Sequence, residues 1–209
     1  MVSDIQEGPS IDPRAPECYR KLVEHTRPDF IIWGGDNIDG RKAKTADELR
    51  AEFVTRMNRR ARELGMRDTH YISPNGLPNT YRTRREFDVS TAADLAELGK
   101  VLVRMPKALS YTSRPWCKVT DGSGNPLTLA AHNYFLPGTR DAQHLCTPMP
   151  ECDGLKTGYT SESGNSIMLT AKRNGRRVIV VVLGSRGRHN REKAAGIILR
   201  DALDAICIW

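Results

Sequence analysis

The sequence predicts an α+β fold, in which helices cover an antiparallel sheet and a short βαβ-like segment comes first. Two apolar runs, SIMLTAK and RRVIVVVLG, flank Asn174-Gly175, and this dipeptide between strand-like runs is a strong signal for a β-hairpin. Apolar residues recur at helical spacing over residues 41–66, after Ser90, and from Arg191 to Ile206. We therefore expect a hairpin-centred sheet covered by the last helix and by a helical lobe over residues 45–105.

The boundaries of the helices follow from capping and breaking residues. Gly65 can close the first helix, and Pro74-Asn75-Gly76 marks a turn-rich loop after it. Ser90 is expected to cap the second helix, TAADLAELGKVLVR, and Pro106 to end it. In the last helix the apolar positions predict a set that packs inward: Ala194, Ile197, Ile198, Ala202 and Leu203.

Two further stretches have less regular patterns. Residues 1–40 read as a βαβ-like unit, with MVSD as a strand, ECYRKLVEHT as a helix and FIIW as a second strand that ends in GGDN. Residues 110–150 are polar and rich in turn signals, and they hold at most short strands such as PLTLAA. We expect two parts, a βαβ-like fragment over residues 1–40 and a larger domain over residues 41–209.

The charge of the chain favours anionic partners and does not identify one. The 209 residues carry a formal charge of +7, with a pI near 9.3. Basic pairs such as Arg59-Arg60 and Arg176-Arg177 are scattered without interleaved aromatic residues, so we expect a solvated surface and no nucleic-acid partner. The start MVSDIQEG lacks the features of a signal peptide, and no apolar run is long enough to predict a membrane segment.

The five cysteines show no Cys-x-x-Cys pair, which argues against a structural zinc site. An odd count also argues against a full disulfide framework. Cys146 and Cys152 can close a small loop in an oxidising compartment, and we expect unpaired thiols instead.

An ordered series of motifs occupies the chain from near Phe53 to near Ala205. The series is FVTRMNRRARELGMRDTHYISPNGL, STAADLAELGKVLVR, DGLKTGYT, AKRNGRRVIVVVLGS and NREKA. Its order and spacing resemble the serine D-alanyl-D-alanine carboxypeptidases, the low-molecular-weight penicillin-binding proteins. The resemblance implies a partial penicillin-binding or β-lactamase-like fold, a peptidoglycan stem peptide or β-lactam as ligand, no cofactor, and a periplasmic or extracytoplasmic location.

The resemblance also assigns roles to residues of the DGLKTGYT motif. Lys156 places a cation near the substrate carboxylate, Thr157 offers it a hydroxyl, and Gly158 lets the backbone approach the peptide. In the family the backbone N–H after this tripeptide, that of Tyr159 here, is one of two oxyanion donors. Arg191 stands at the family's Gly-Arg-Glu position as Asn-Arg-Glu and is expected to be a second cation for the carboxylate; the alternative is a surface arginine at a helix start.

The nucleophile of such an enzyme is missing from the sequence. The family needs a Ser-x-x-Lys on a helix and a Ser-x-Asn on a facing loop, and no serine here has lysine three positions later. Ser163-Gly164-Asn165 comes too late in the chain to be the Ser-x-Asn, and Gly35-Asp36-Asn37 stands in that place without its serine. We expect a carboxypeptidase relative that is inactive as this chain, or a non-catalytic peptide-binding remnant.

Residues 1–40 carry a second resemblance, to the start of a calcineurin-like metallophosphoesterase. Asp4 and Gln6 stand at an Asp-x-His motif, and Asp36 stands in a Gly-Asp motif. The resemblance implies a divalent metal at Asp4 and Asp36 if this segment is functional, and the alternative is two strand-end acids without a metal. A natural fusion, a gene-model artefact and one divergent protein all remain open, and so does a phosphoesterase fragment as the function.

Overall fold

The computed structural model describes residues 44–77, 86–120, 124–139 and 146–206, with the side chains of residues 44–49 left aside. The chain divides into two compact units. The first comprises Met1–Arg60 and His70–Val89, and the second comprises Ala61–Thr69 and Ser90–Trp209. The boundary predicted near residue 40 lies outside the described residues and stays a prediction.

In the first unit a helix and a loop are tied together by side chains. Helix α1 spans Lys44–Glu63, and its last three residues belong to the second unit. Asn58 Nδ2 donates to the carbonyl of Tyr71 at 2.7 Å, and the Tyr71 N–H donates back to Asn58 Oδ1 at 2.8 Å. The Asp88 carboxylate accepts the N–H groups of Ile72 and Ser73. These bonds fix the turn-rich loop that the sequence predicted.

The second unit contains the remaining elements. Its helices and strands are α2 (Ala92–Leu102), α3 (Pro106–Thr112), β1 (Trp116–Thr120), β2 (Pro126–Ala130), β3 (Cys152–Thr160), β4 (Gly164–Arg173), β5 (Arg176–Ser185) and α4 (Arg188–Ala205). Strands β3, β4 and β5 form an antiparallel sheet in the order β3-β4-β5, while β1 and β2 form a separate two-stranded ribbon. This combination of helices and antiparallel sheets confirms the α+β prediction.

The β4–β5 hairpin forms where the sequence predicted it. Asn174 has φ of 52° and Gly175 has φ of 79°, and two successive positive φ values are what a type I′ turn requires. The turn sets the register, so that Leu169 lies opposite Val180. That register places apolar side chains of both strands on the same face of the sheet.

The core lies between this sheet and α4. The residues that share it are buried and apolar, and they come from β4, β5, α4 and the segment before β3: Phe135, Leu136, Leu169, Ala171, Val180, Ala195, Leu199 and Leu203. Helix α2 packs on the opposite face of the sheet. Met168 and Ile179 point to that face, because they alternate with the core residues along β4 and β5. A Cβ at Gly99 of α2 would lie 3.1 Å from atoms of both side chains, so the helix approaches the sheet closely.

The structure corrects two predicted helix boundaries. Thr91, not Ser90, caps α2, since Thr91 Oγ1 accepts the N–H of Asp94 at 3.2 Å. Ser90 Oγ instead shares a hydrogen bond of 2.8 Å with Thr69 Oγ1. Pro106 does not end α2, which stops at Leu102; it begins α3, because proline suits the first helical position, where no N–H is needed.

The inward face of α4 also differs from the prediction. Ile197 and Ile198 are 44% and 46% exposed, so assigning them to the core was wrong. The buried face includes two charged residues near the start of the helix, Arg191 and Glu192, together with Ala195, Gly196, Leu199 and Leu203. The apolar pattern misled the prediction because it excludes charged residues from a buried face.

The start of β3 is fixed from three directions. Thr112 Oγ1 of α3 donates to the carbonyl of Asp153 at 3.0 Å, and Asn133 Nδ2 donates to that of Gly154 at 3.2 Å. Arg177 of β5 donates from both terminal nitrogens to the Asp153 carboxylate, at 2.7 and 2.8 Å. These contacts hold the strand in place just before Lys156.

Burial raises the pKa of two of the thiols. Among the described residues Cys117, Cys146 and Cys152 are free, as expected, while Cys18 and Cys207 lie outside them. Burial raises the pKa of Cys146 to about 12, helped by the nearby Glu192 carboxylate. Burial also raises the pKa of Cys152 to about 11.

We predict that Cys146 and Cys152 resist iodoacetamide at pH 8 in the folded protein, because only the thiolate reacts and the raised pKa values keep both thiols protonated. Peptide mapping by mass spectrometry measures the modification, and the same reaction in urea is the control. Equal labelling rates in the folded and unfolded chain would contradict this environment.

We predict that Gly154→Ala lowers the free energy of unfolding by about 2 to 4 kcal/mol, the combined scale of backbone strain and overpacking. Gly154 has φ of 155°, and an added Cβ would lie 2.5 Å from Thr112 Oγ1. Gly158→Ala is the matched control on the same strand, because its Cβ meets nothing within 4 Å. Urea titration of both variants gives the comparison, and equal stability would show that α3 does not constrain this point.

Candidate functional site

The Lys156-Thr157-Gly158 tripeptide lies in the second half of β3. Within the described residues β3 pairs with β4 alone, so it is an edge strand of the sheet. Thr157 lies opposite Ile167, and Gly158 lies opposite Ser166. An edge strand has backbone groups on its outer side that a further extended segment can bind.

The outer end of β3 is open to solvent. Tyr159 is 68% exposed, and a Cβ placed on Gly158 would have no neighbour within 4 Å. Nothing in the described part of the chain therefore blocks an approach to the backbone at Gly158. This is the open surface expected where the resemblance places a bound peptide.

The Lys156 ammonium lies in a partly desolvated, positive environment. Its Nζ donates to the carbonyl of Thr157. The residue as a whole is exposed, yet the protein atoms around the ammonium desolvate it and lower the pKa of Lys156 below the usual lysine value. The positive charge of Arg191 lowers that pKa further.

Arg191 is buried in the first turn of α4, so the alternative of a surface arginine is excluded. Its Nε and Nη2 donate to the two carboxylate oxygens of Glu192, at 2.6 and 2.5 Å. Its Nη1 reaches the carbonyl of Ser166 at 3.4 Å, a long contact. Ser166 pairs with Gly158, so the guanidinium lies beside the strand that neighbours the tripeptide.

Together these groups can recognise an extended chain that ends in a carboxylate. The edge of β3 offers one ammonium and one hydroxyl, with the Arg191 guanidinium buried behind the neighbouring strand, and charge-assisted bonds to carboxylates are among the stronger ones in proteins. The described residues contain no group of three His, Cys, Asp or Glu side chains placed to hold a metal ion. Asp4 and Asp36, the predicted metal ligands, lie outside those residues.

The Ser-Gly-Asn tripeptide lies at a turn. Ser163-Gly164-Asn165 forms the turn into β4, where Thr160 Oγ1 accepts the N–H of Ser163 at 3.0 Å. Sequence reasoning missed Glu192, although its Asn-Arg-Glu motif was recognised, because adjacent charges at a helix start normally face solvent. In the described part of the chain no helix has the length and apolar character needed to cross a membrane.

Comparison with known proteins identifies the family. A family model described as D-alanyl-D-alanine carboxypeptidase matches residues 48–187. D-alanyl-D-alanine carboxypeptidase DacF of Bacillus subtilis is 30% identical over 166 residues, which are 78% of this chain and 38% of the relative. D-alanyl-D-alanine carboxypeptidase DacD of Escherichia coli is 30% identical over 202 residues, 94% of this chain and 43% of the relative. The chain thus spans about two fifths of the length of these relatives.

Solved structures agree with this assignment. Cefotaxime-bound penicillin-binding protein D2 of Listeria monocytogenes is 33% identical, with a TM-score of 0.58, and the match covers 72% of this chain and 54% of that one. The S216A mutant of Streptomyces K15 DD-transpeptidase, at 22% identity and a TM-score of 0.62, shares the fold, with 76% of this chain and 57% of that one covered. Because the family model matches more than half of the sequence and the fold agrees, the chain belongs to the D-alanyl-D-alanine carboxypeptidase family.

Proposed function

We propose that this carboxypeptidase-like chain binds the D-alanyl-D-alanine end of peptidoglycan stem peptides along the open edge of β3. The observation that carries the proposal is the position of Lys156-Thr157-Gly158 on an accessible edge strand. The positive charge of Arg191, which lowers the pKa of Lys156, supports it. A basic chain in an extracytoplasmic or periplasmic location, as in the family, meets this polymer directly. We assign the same location here.

The proposed contacts follow from the chemistry of the site. The terminal carboxylate of the peptide binds the Lys156 ammonium and the Thr157 hydroxyl, with the field of Arg191 adding to the attraction. Gly158 leaves room for the peptide backbone. The N–H of Tyr159 faces the carbonyl of the D-alanyl-D-alanine bond, which is the position of an oxyanion donor.

The relatives support this class of ligand. Penicillin-binding protein D2 of Listeria monocytogenes has been crystallised with cefotaxime and with ampicillin bound. The two curated relatives compared above are named D-alanyl-D-alanine carboxypeptidases. A β-lactam is therefore a second candidate ligand for the same surface, held without a covalent bond.

We propose binding without turnover for the 209-residue chain. Acyl transfer in these enzymes needs the serine and lysine of a Ser-x-x-Lys motif, and the 209 residues contain none. Loss of the nucleophile from a serine peptidase lowers turnover on the order of a millionfold. The phosphoesterase alternative depends on Asp4 and Asp36 outside the described residues and stays a prediction from the sequence.

We predict that the 209-residue chain is not acylated by a fluorescent penicillin and releases no measurable D-alanine from a tripeptide ending in D-alanyl-D-alanine. Gel fluorescence and a D-alanine assay measure the two outcomes, with an active carboxypeptidase as positive control. Stoichiometric labelling that maps to any serine of this chain would overturn the proposal.

We predict that Lys156→Met weakens binding of the same tripeptide by about 1.5 to 3 kcal/mol, the scale of a hydrogen bond to a charged group. Thr157→Val should cost about 0.5 to 1.5 kcal/mol, because it removes one neutral donor. Calorimetry measures both affinities. Lys118→Met, on the exposed strand β1, is the matched control for loss of one positive charge, and it should bind like the wild type. An equal loss in all three variants would point to non-specific attraction.

A further inference from the structure

Arg191 and Glu192 form a charged pair inside the second unit. Arg191 is 3% exposed and Glu192 is fully buried. Buried ions are costly to desolvate, and replacing such a pair with apolar residues of similar size is often neutral or stabilising. A pair of this kind therefore suggests a role beyond stability.

The hydrogen bonds between the two side chains define the orientation of the Arg191 guanidinium. Both carboxylate oxygens of Glu192 accept bonds from Arg191, one from Nε and one from Nη2, so the planar guanidinium is held in one orientation. The third nitrogen, Nη1, lies toward β4, and among the described residues its one contact is with the carbonyl of Ser166, at 3.4 Å. This places the less engaged nitrogen on the side of the strand that pairs with the Lys156 strand.

We propose that Glu192 is a positioning residue of the carboxylate-binding site, which fixes the Arg191 guanidinium behind β4 and offsets its charge there. Its action on the ligand is indirect, through Arg191 and then Lys156. The description of the β3 edge as a peptide site rests on the proposed function. The coupling of Glu192, Arg191 and Lys156 is a property of the protein alone and can be measured without a ligand.

The electrostatics of Lys156 agree with this arrangement. The elements packed against β3 carry other titratable groups, Lys107 and Tyr111 on α3 and Lys172 and Arg173 on β4. Of the charged groups in the described residues, it is Arg191 whose charge lowers the pKa of Lys156, after desolvation. If Glu192 offsets that charge, removing the carboxylate must lower the pKa of Lys156 further, and removing both charges must raise it.

The pKa of Lys156 in four forms of the chain tests this proposal. Lysines are reductively dimethylated with ¹³C-formaldehyde and a borane reductant, which keeps their charge, and the Lys156 resonance is assigned by its absence in Lys156→Arg. In Glu192→Gln, Lys156 should titrate at lower pH than in the wild type. Glu192→Asp, which keeps the carboxylate, should stay close to the wild type. In the double variant Arg191→Met with Glu192→Met, Lys156 should titrate at higher pH than in the wild type.

A role of Glu192 in folding alone would lower stability without these opposite shifts. Glu192→Gln and the wild type titrating at the same pH would overturn the proposal. If Glu192→Gln does not fold, the pKa of Lys156 in the double variant and in Glu192→Asp tests the proposal instead. An unchanged Lys156 pKa in the double variant would then overturn the proposal. Failure of the wild type to bind the tripeptide would refute the proposed function and leave this titration unaffected.

Discussion

The packing of α4 against β4 and β5 forms the core of the second unit and decides where Arg191 lies beneath the sheet. Leu199 and Leu203 are fully buried against the sheet, and the same helix face continues to Arg191 in the first turn. The apolar contacts fix the height and rotation of the helix, and so they determine which side chain of that turn points under the strands. Burial of the Arg191 guanidinium is thus a consequence of the apolar core.

Strand β3 receives its position from a different set of contacts. Polar groups from α3, β5 and the segment before β3 hold Asp153 and Gly154, and the strand then runs outward to the exposed Tyr159. The anchored start of β3 and its open end have different roles in the proposed site. A rigid start holds Lys156 and Thr157 in place, while the open end leaves the backbone near Gly158 accessible to a peptide.

Local signals in the sequence predicted the parts of the fold that depend on local conformation. Asn174-Gly175 predicted the hairpin because both residues tolerate the positive φ that the turn needs. The motif series predicted the family that residues 48–187 match. Helix α3 was missed because it is short and lacks clear periodicity, while residues 110–150 hold short strands as expected, although only PLTLAA was named. Glu192 was missed and Ile198 misplaced for one reason: tertiary packing, which no local pattern records, buries an ion pair on α4 and leaves an isoleucine outside.

The central claim is that the open edge of β3 is a binding surface for a peptide ending in D-alanyl-D-alanine. The most direct measurement is a titration of the ¹⁵N-labelled chain with such a tripeptide, followed by amide chemical shifts. The account predicts saturable shifts centred on Thr157, Gly158 and Tyr159, with a smaller change at Ser166 on the paired strand. Shifts confined to other elements, or none at millimolar peptide, would contradict it.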